Sequence, residues 1–107
     1  MNLNKSSAWS ESEVCSFLAS STIPMRVATN TGSYPTLCSV WYAFDEPQGD
    51  FICVSHENSQ LVSDLLANQK CSFEIAPNDP PYCGVRGKAM ATLSKDYALE
   101  TLSAVIP

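Results

Sequence analysis

Alternation of apolar and polar residues is the feature of this sequence that most constrains its fold. In residues 71–76 the side chains of Cys71, Phe73 and Ile75 take every second position, with polar residues between them. Residues 82–93 repeat the pattern over a longer stretch, with small or apolar residues at the odd positions. Successive side chains of a β-strand point to opposite faces, so this period predicts two strands that each bury one face.

Three further strands are predicted in the first half of the chain, over residues 23–29, 36–44 and 51–55, which are rich in β-branched and aromatic residues. Turn-forming residues separate them, with Gly32 in the first connection and Gly49 in the second. Connections this short join neighbouring antiparallel strands.

Helical signals occupy the remaining segments. Residues 9–20 form the first predicted helix, because Ser10 is a good N-cap and Glu13 follows at the spacing of a capping box. A second helix is predicted over residues 61–66, and a third is predicted to begin at Ser94. The second would turn some residues inward (Leu61, Val62, Leu65, Leu66) and others outward (Gln60, Ser63, Asp64). The third would carry the apolar residues Leu99, Leu102, Val105 and Ile106.

The predicted elements follow in the order helix, three strands, helix, two strands and helix. A chain of 107 residues is the size of one domain, so we predict a single domain over residues 1–107. A curled, antiparallel sheet with a few helices gives a mainly β fold of the α+β kind, arranged as a small barrel.

The charge balance excludes two classes of partner. The formal net charge is −5, and only six lysines and arginines are present. A nucleic-acid-binding protein needs a basic surface to displace counterions from phosphate, and a polybasic membrane anchor needs clustered cations. No apolar run in the sequence approaches the roughly 18 residues of a membrane span. We therefore expect neither a nucleic acid nor a membrane as partner.

The cysteines and the single histidine limit metal chemistry. The five cysteines include no C-x-x-C pair and lie far apart, and His56 is the only histidine, so no metal site is predicted. The chain begins without the pattern of a signal peptide. We expect reduced, mostly buried thiols and a cytoplasmic protein.

The segment Ser-His-Glu-Asn-Ser-Gln at residues 55–60 is the most informative candidate site. It ends a predicted strand and begins a predicted helix, where unpaired backbone N–H groups suit a phosphate. Ser55, Asn58 and Ser59 could add hydrogen-bond donors. The simpler interpretation is that Asn58 or Ser59 only caps the helix.

Three basic and two aromatic residues form a second group of candidates. Arg26 lies in an otherwise apolar strand, where its guanidinium could hold an anion or the polar edge of a ring; otherwise it is a surface arginine. Arg86 and Lys88 share one strand face and would meet a ligand, a partner subunit or solvent. Trp41 and Tyr42 are more often core or interface residues than ligand contacts.

Several segments, taken in order, resemble the flavin-binding split-barrel proteins, the superfamily of pyridoxamine 5'-phosphate oxidase. They are Phe-Leu-Ala-Ser-Ser at 17–21, Met-Arg-Val-Ala-Thr at 25–29, Gly-Ser-Tyr-Pro at 32–35, Val-Trp-Tyr at 40–42 and Pro-Tyr-Cys-Gly-Val-Arg-Gly-Lys-Ala at 81–89. The resemblance rests on the order and spacing of these segments, from about residue 10 to the C-terminus.

This resemblance implies a six-stranded antiparallel split β-barrel with flanking helices, which forms a homodimer with FMN in two symmetric grooves at the subunit interface. Residues lining the flavin would be Arg26, Val27, Ala28 and Thr29 of one strand and Ser39, Val40 and Trp41 of the next. Residues around the phosphate would be Ser55, His56, Asn58, Ser59 and Gln60. Arg86 and Lys88 would approach from the other subunit.

The chain departs from the family at two points. Many members carry lysine or arginine where Gln60 stands, and the family usually continues beyond the length of this chain, which therefore looks short at its C-terminus. The basic cluster that would bind pyridoxamine phosphate is missing. The expected function is an FMN-dependent oxidoreductase with an unknown small-molecule substrate and no assigned catalytic residue. The alternatives are a split barrel that binds deazaflavin or haem, with His56 as the only imidazole for iron, and a cofactor-free binding module.

Overall fold

The structure is a computed structural model that describes residues 3, 7–32, 34–47, 49–94 and 101–105. Its elements are α1 (Glu11–Ser20), β1 (Met25–Thr29), β2 (Thr36–Val40), β3 (Tyr42–Asp45), β4 (Asp50–Val54), α2 (Gln60–Ala67), β5 (Lys70–Ile75), β6 (Val85–Ser94) and β7 (Thr101–Val105). No helix in the described ranges is both long enough and apolar enough to cross a membrane.

Within the described residues, seven strands form one antiparallel sheet in the order β2-β1-β5-β6-β7-β4-β3. β2 and β3 are therefore the two edges of the sheet, although only Trp41 separates them in sequence. A sheet whose opposite edges are joined through one residue must curl back on itself, but those edges are not paired with each other. The predicted mainly β, α+β fold is confirmed.

Residues 36–44, predicted as one strand, divide at Trp41 into β2 and β3. The inward and outward alternation of side chains continues through the break, with Leu37 and Ala43 exposed and Cys38 and Tyr42 partly buried. The sequence pattern could not show the break, because a bent strand keeps the same period of two on both sides of the bend.

The third predicted helix, beginning at Ser94, is wrong for the part that the structure describes. Residues 101–105, including Leu102 and Val105, form β7, which lies between β6 and β4 and pairs with both. Leu99 and Ile106 lie outside the described residues. Pairing to two strand edges outweighed the helical spacing of these apolar residues, because each strand edge offers a row of backbone hydrogen bonds.

The core lies on the inner face of the curled sheet, as the period-two pattern predicted. Its central residue is Phe51, which has no exposed surface and whose ring centroid lies 5.0 Å from that of Phe73, 5.4 Å from that of Tyr42 and 5.3 Å from that of Phe44. Other buried apolar residues include Met25, Val27, Cys53, Leu65, Ile75, Ala89 and Ala91.

Helix α1 begins as predicted and packs beside β3. The Ser10 hydroxyl accepts a hydrogen bond from the backbone of Glu13 (3.2 Å), and the Glu13 carboxylate accepts one from the backbone of Ser10 (3.1 Å), which completes the capping box. The hydroxyl of Tyr42 donates to the carbonyl oxygen of Leu18 (3.1 Å), which fixes the helix to the edge of the sheet.

Candidate functional site

The outer face of the sheet brings five of the predicted site residues together. Arg26 lies opposite Ser39 of β2 and opposite Glu74 of β5, and Glu74 lies opposite Arg86 of β6. Directly opposite residues in a sheet point to the same face, so these side chains form one row. A second row, two residues further along, consists of Leu37, Ala28, Ser72 and Lys88.

Two depressions lie end to end along these rows. The smaller has a volume of about 260 Å³, and Arg26, Glu74, Asn78 and Tyr82 contribute to its lining. The larger, which we call the lysine groove, has a volume of about 650 Å³; its lining includes Ala28, Asn68, Lys70, Ser72, Lys88 and Met90. Both depressions follow β1, because Arg26 and Ala28 are successive outward residues of that strand.

The side chain of Arg26 is anchored to this face by a hydrogen bond to the backbone. Its side chain is partly buried, and Nη1 donates to the carbonyl oxygen of Pro24 at 3.2 Å. This bond uses one of the five N–H donors of a guanidinium. The remaining donors make Arg26 suitable for an anion or the polar edge of a ring.

Other predicted flavin-lining residues turn their side chains away from the outer face. Val27 and Thr29 point inward and expose 1% and 3% of their surface, and Val40 packs against the core. Val27 and Val40 would therefore meet a ligand on the outer face only through backbone atoms. Trp41 instead is 68% exposed, at the junction of β2 and β3.

The start of α2 is organised mainly by its own hydrogen bonds. Ser59 is the N-cap: its hydroxyl accepts from the backbone of Val62 at 3.2 Å and lies 2.9 Å from the hydroxyl of Ser55. His56 Nδ1 accepts from the backbone N–H of Asn58 at 3.1 Å. Of the two candidate caps, Asn58 and Ser59, the structure therefore assigns the N-cap to Ser59.

Asp64 is the principal residue of this region that the sequence prediction missed. It was predicted to face solvent, yet it is only 4% exposed and accepts hydrogen bonds from Gln60 Nε2 (2.7 Å), Thr29 Oγ1 (2.8 Å) and Thr31 Oγ1 (3.2 Å). The bond from Gln60, then that from Thr29, holds the pKa of this carboxyl below its ordinary value against the opposing effect of burial. Leu66, predicted to be buried, is 71% exposed.

Asp64 and its three donors, Gln60, Thr29 and Thr31, form a cluster that connects the first two turns of α2 to the end of β1 and the turn after it. It also changes what Gln60 can do, because the amide N–H of Gln60 is directed at a carboxylate instead of outward. A phosphate at this end of the helix would lie near the negative charge of Asp64. The signal for the cluster was present in sequence, since Gln60 and Asp64 are four residues apart and therefore neighbours on a helix.

All five cysteines are free, but the expectation that most are buried is wrong: Cys53 is buried, Cys83 is exposed and the other three are intermediate. Burial, followed by the nearby Cys71 and Cys38, raises the pKa of the Cys53 thiol to about 12. Within the described ranges, no group of three or more His, Cys, Asp or Glu residues is arranged to hold a metal ion.

Comparison with known proteins gives matches in structure but not in sequence. No family profile and no curated protein matches the sequence. A candidate pyridoxamine 5'-phosphate oxidase of Listeria innocua superposes with a TM-score of 0.77 at 12% identity, covering 90% of this chain and 92% of that one. The FAD-binding protein of Mycobacterium smegmatis superposes with a TM-score of 0.74 at 17% identity, covering 92% of this chain and 89% of that one. HutZ, a haem storage protein of Vibrio cholerae, superposes with a TM-score of 0.73 at 9% identity, covering 91% of this chain and 89% of that one. At these identities the chain is similar to them in fold only. The antiparallel sheet with flanking helices agrees with the sequence resemblance, but the described residues form seven strands instead of the implied six, and the sheet is not closed.

Proposed function

We propose that this protein is an FMN-binding oxidoreductase of the pyridoxamine 5'-phosphate oxidase-like family, with a split-barrel fold and a small-molecule substrate. The observation that carries the proposal is the row of depressions along β1, on a fold shared with FAD-binding proteins. The joining of β2 and β3 at Trp41, which brings the two sheet edges together, supports the split-barrel assignment.

The residues on this face fit the flavin of FMN. A flavin ring is flat and largely apolar with polar edges, which suits an outer face that combines small side chains with polar groups. Ala28 leaves space above β1, Ser39 offers a hydroxyl, and Arg26 brings a guanidinium anchored to Pro24. When bound, FMN would supply hydride or electron transfer, and these residues would hold and orient it.

The phosphate of FMN fits the start of α2 less well, because Gln60 donates to Asp64 and Ser59 caps the helix. Cations are available on the outer face instead. Arg26 lies on β1, and Arg86 and Lys88 lie on β6, with β5 between the two strands. A charge-assisted hydrogen bond is about twice as strong as a neutral one, so these cations are the better partners.

The flavin proposal is tested by the visible spectrum of the purified protein, mass spectrometry of any released small molecule, and titration with added FMN. We expect flavin bands and the mass of FMN, and about tenfold weaker FMN binding in Arg26→Met, because a hydrogen bond to a charged group is lost. A colourless protein that takes up no FMN would contradict the proposal and favour the cofactor-free binding module.

A homodimer is part of the same proposal, supported by apolar side chains left exposed on the outer face: Leu37, Trp41, Ile52, Val54 and Met90. Burying such a surface against a second copy would stabilise the assembly. Trp41→Glu should convert a dimer to a monomer in light scattering at micromolar concentration. Leu66→Glu is the matched control, because Leu66 is as exposed as Trp41 but lies on α2. A monomeric wild-type protein would refute the dimer.

A cytoplasmic location is also proposed, supported by the five free thiols, which a reducing compartment would preserve. Peptide-resolved thiol labelling in intact cells would test it, because thiols in an oxidising compartment would be blocked.

Haem binding is the alternative favoured by one observation, the fold shared with HutZ. The local geometry of His56 opposes it. Nδ1 of His56 accepts a hydrogen bond from the Asn58 backbone, whereas the second ring nitrogen of an iron-bound histidine normally donates one. We expect His56→Ala to leave any haem absorption band unchanged; its loss in the variant would favour the haem alternative.

A further inference from the structure

We propose that the lysine groove binds the anionic group of an aromatic phosphate or carboxylate, with Lys70 and Lys88 as its cationic partners. The site does not depend on the start of α2, and the proposal holds whether or not the protein carries a flavin.

The two lysines converge on one outer-face region of neighbouring strands. Lys70 of β5 lies opposite Met90 of β6, and Ser72 lies opposite Lys88, so the lysines are diagonal neighbours on the same face. Diagonal neighbours in an antiparallel pair are roughly 7–8 Å apart, within reach of two long side chains. An anion placed between two ammonium groups would replace their mutual repulsion with attraction.

The charge of the groove contrasts with that of the chain. The protein has a net charge of −5 and only six lysines and arginines, yet two of its lysines and no acidic residue line this groove. Charge complementarity therefore points to an anionic occupant.

The end of the groove is held in a fixed shape by Asn68. Its side-chain Nδ2 donates to the carbonyl oxygen of Asn30 at 3.0 Å, and its Oδ1 accepts from the backbone N–H of Lys70 at 3.1 Å. These bonds connect the turn after β1 to the start of β5, so the backbone that carries Lys70 is positioned before a ligand arrives. Such preorganisation reduces the entropy lost on binding.

The remaining lining favours a flat, apolar body attached to the anion. Ala28, Pro35, Ala89 and Met90 contribute apolar surface, and Asn30 and Ser72 add polar groups. The volume of about 650 Å³ lies within the range of small-molecule sites, roughly 300–1,000 Å³. An aromatic phosphate or carboxylate matches this combination, and either FMN or a separate substrate could supply it.

The first experiment is a titration of the full-length protein with 1-naphthyl phosphate, followed by its fluorescence, with uncharged 1-naphthol as the comparison probe. We expect the phosphate to bind more tightly than the alcohol and to weaken as salt is added, while naphthol binding changes little. Equal affinity for the two probes, or affinity for the phosphate that is insensitive to salt, would overturn the proposal without any variant.

Variants then assign the site to the two lysines. Lys70→Met and Lys88→Met should each weaken naphthyl phosphate about three- to tenfold, since each removes one charge-assisted contact at an exposed position. Lys88→Arg keeps the charge and should retain binding. Ser16→Glu, at an exposed position of α1, changes the net charge by the same amount as Lys→Met and should have no effect. Unchanged binding in both Met variants, or an equal loss in Ser16→Glu, would refute the assignment.

Competition identifies the source of the anion. If FMN displaces naphthyl phosphate and riboflavin does not, the groove holds the phosphate of FMN. If naphthyl phosphate still binds to protein saturated with FMN, the groove is a separate site for an organic anion. In both cases the lysine variants must weaken naphthyl phosphate, so failure of the flavin proposal is distinguishable from failure of this one.

Discussion

Phe51 and Ile52 are consecutive residues of β4, yet Phe51 has no exposed surface and Ile52 is 37% exposed. The same contrast runs through the whole sheet. Inward residues make one continuous apolar core, whereas outward residues combine cations, exposed apolar side chains and two depressions. Each strand therefore serves two purposes: its inward residues contribute to the stability of the core, and its outward residues carry the candidate site.

The largest difference between the core and the surface should appear in the reactivity of two thiols, Cys53 on the inner face and Cys83 in the loop before β6. Cys53 is 1% exposed and its pKa is raised to about 12 by burial, so it is both inaccessible and protonated, whereas Cys83 is exposed. With iodoacetamide at pH 8, peptide-resolved mass spectrometry should show labelling at Cys83 at least about a thousandfold faster, because Cys53 reacts only after opening of the core. Similar rates at the two thiols would show that the inner face is not a closed core.

Truncation of core and surface side chains is the next test. Phe51→Ala should lower the free energy of unfolding by about 3–5 kcal/mol, because it leaves a cavity among the three rings that contact Phe51. Ile52→Ala, one residue away on the outer face, should cost less than about 1 kcal/mol. Urea denaturation measures both. Comparable losses would mean that Ile52 is buried in an assembly, which would support the dimer.

Gly84 should break the simple rule that exposed positions tolerate change. The residue is exposed, but a Cβ at this position would overlap the carbonyl oxygen of Ile75 and approach Ala76 within 2.7 Å. We expect Gly84→Ala to cost roughly 1–3 kcal/mol in thermal or urea unfolding, as for an overpacked site. Gly32→Ala is the control, because nothing lies within 4 Å of its Cβ position. Equal stability of the two variants would contradict the close approach at Gly84.

The smallest effect on stability is expected from the titration of Asp64, whose polar cluster lies against the inner core. Its pKa is lowered in the folded protein from the ordinary value of 3.8, so its contribution to stability is present above that pH and is lost as the pH falls through the lower, folded value. The urea midpoint of the wild type should therefore decline in this acid range. Asp64→Asn should be less stable at pH 7 but should show a flatter profile below pH 4. Parallel profiles would show that other carboxyls cause the acid loss.

Local patterning predicted most of the fold, because the inner face is governed by burial alone. The positions of β1, β5 and β6 and the capping box at Ser10 follow from spacing and from residue type. The conversion of the last predicted helix to β7 could not be predicted, since it depends on two strand edges that are distant in sequence. Tertiary pairing of this kind overrides local periodicity.

The candidate site was predicted less completely, because outward residues carry no periodic signal of their own. The sequence indicates Arg26, Arg86 and Lys88 through their strands, but it does not indicate Lys70, which is a candidate only because β5 pairs with β6. The sequence predicts an outward Asp64, because helical spacing alone does not show which polar residue meets buried donors from another strand. The partners Thr29 and Thr31 lie more than thirty residues away, at separations of 35 and 33.

The junction of β2 and β3 at Trp41 affects the order in which the chain folds. β1 with β2, and β3 with β4, are hairpins of neighbouring segments, and the two hairpins follow one another with a single residue between them. The later strands β5, β6 and β7 fill the space between β1 and β4. Local hairpins close quickly, whereas pairing of distant segments must first overcome loop entropy. We therefore expect the two hairpins of the first half of the chain to form early. Pairing of β5, β6 and β7 between them would be the slow step of folding.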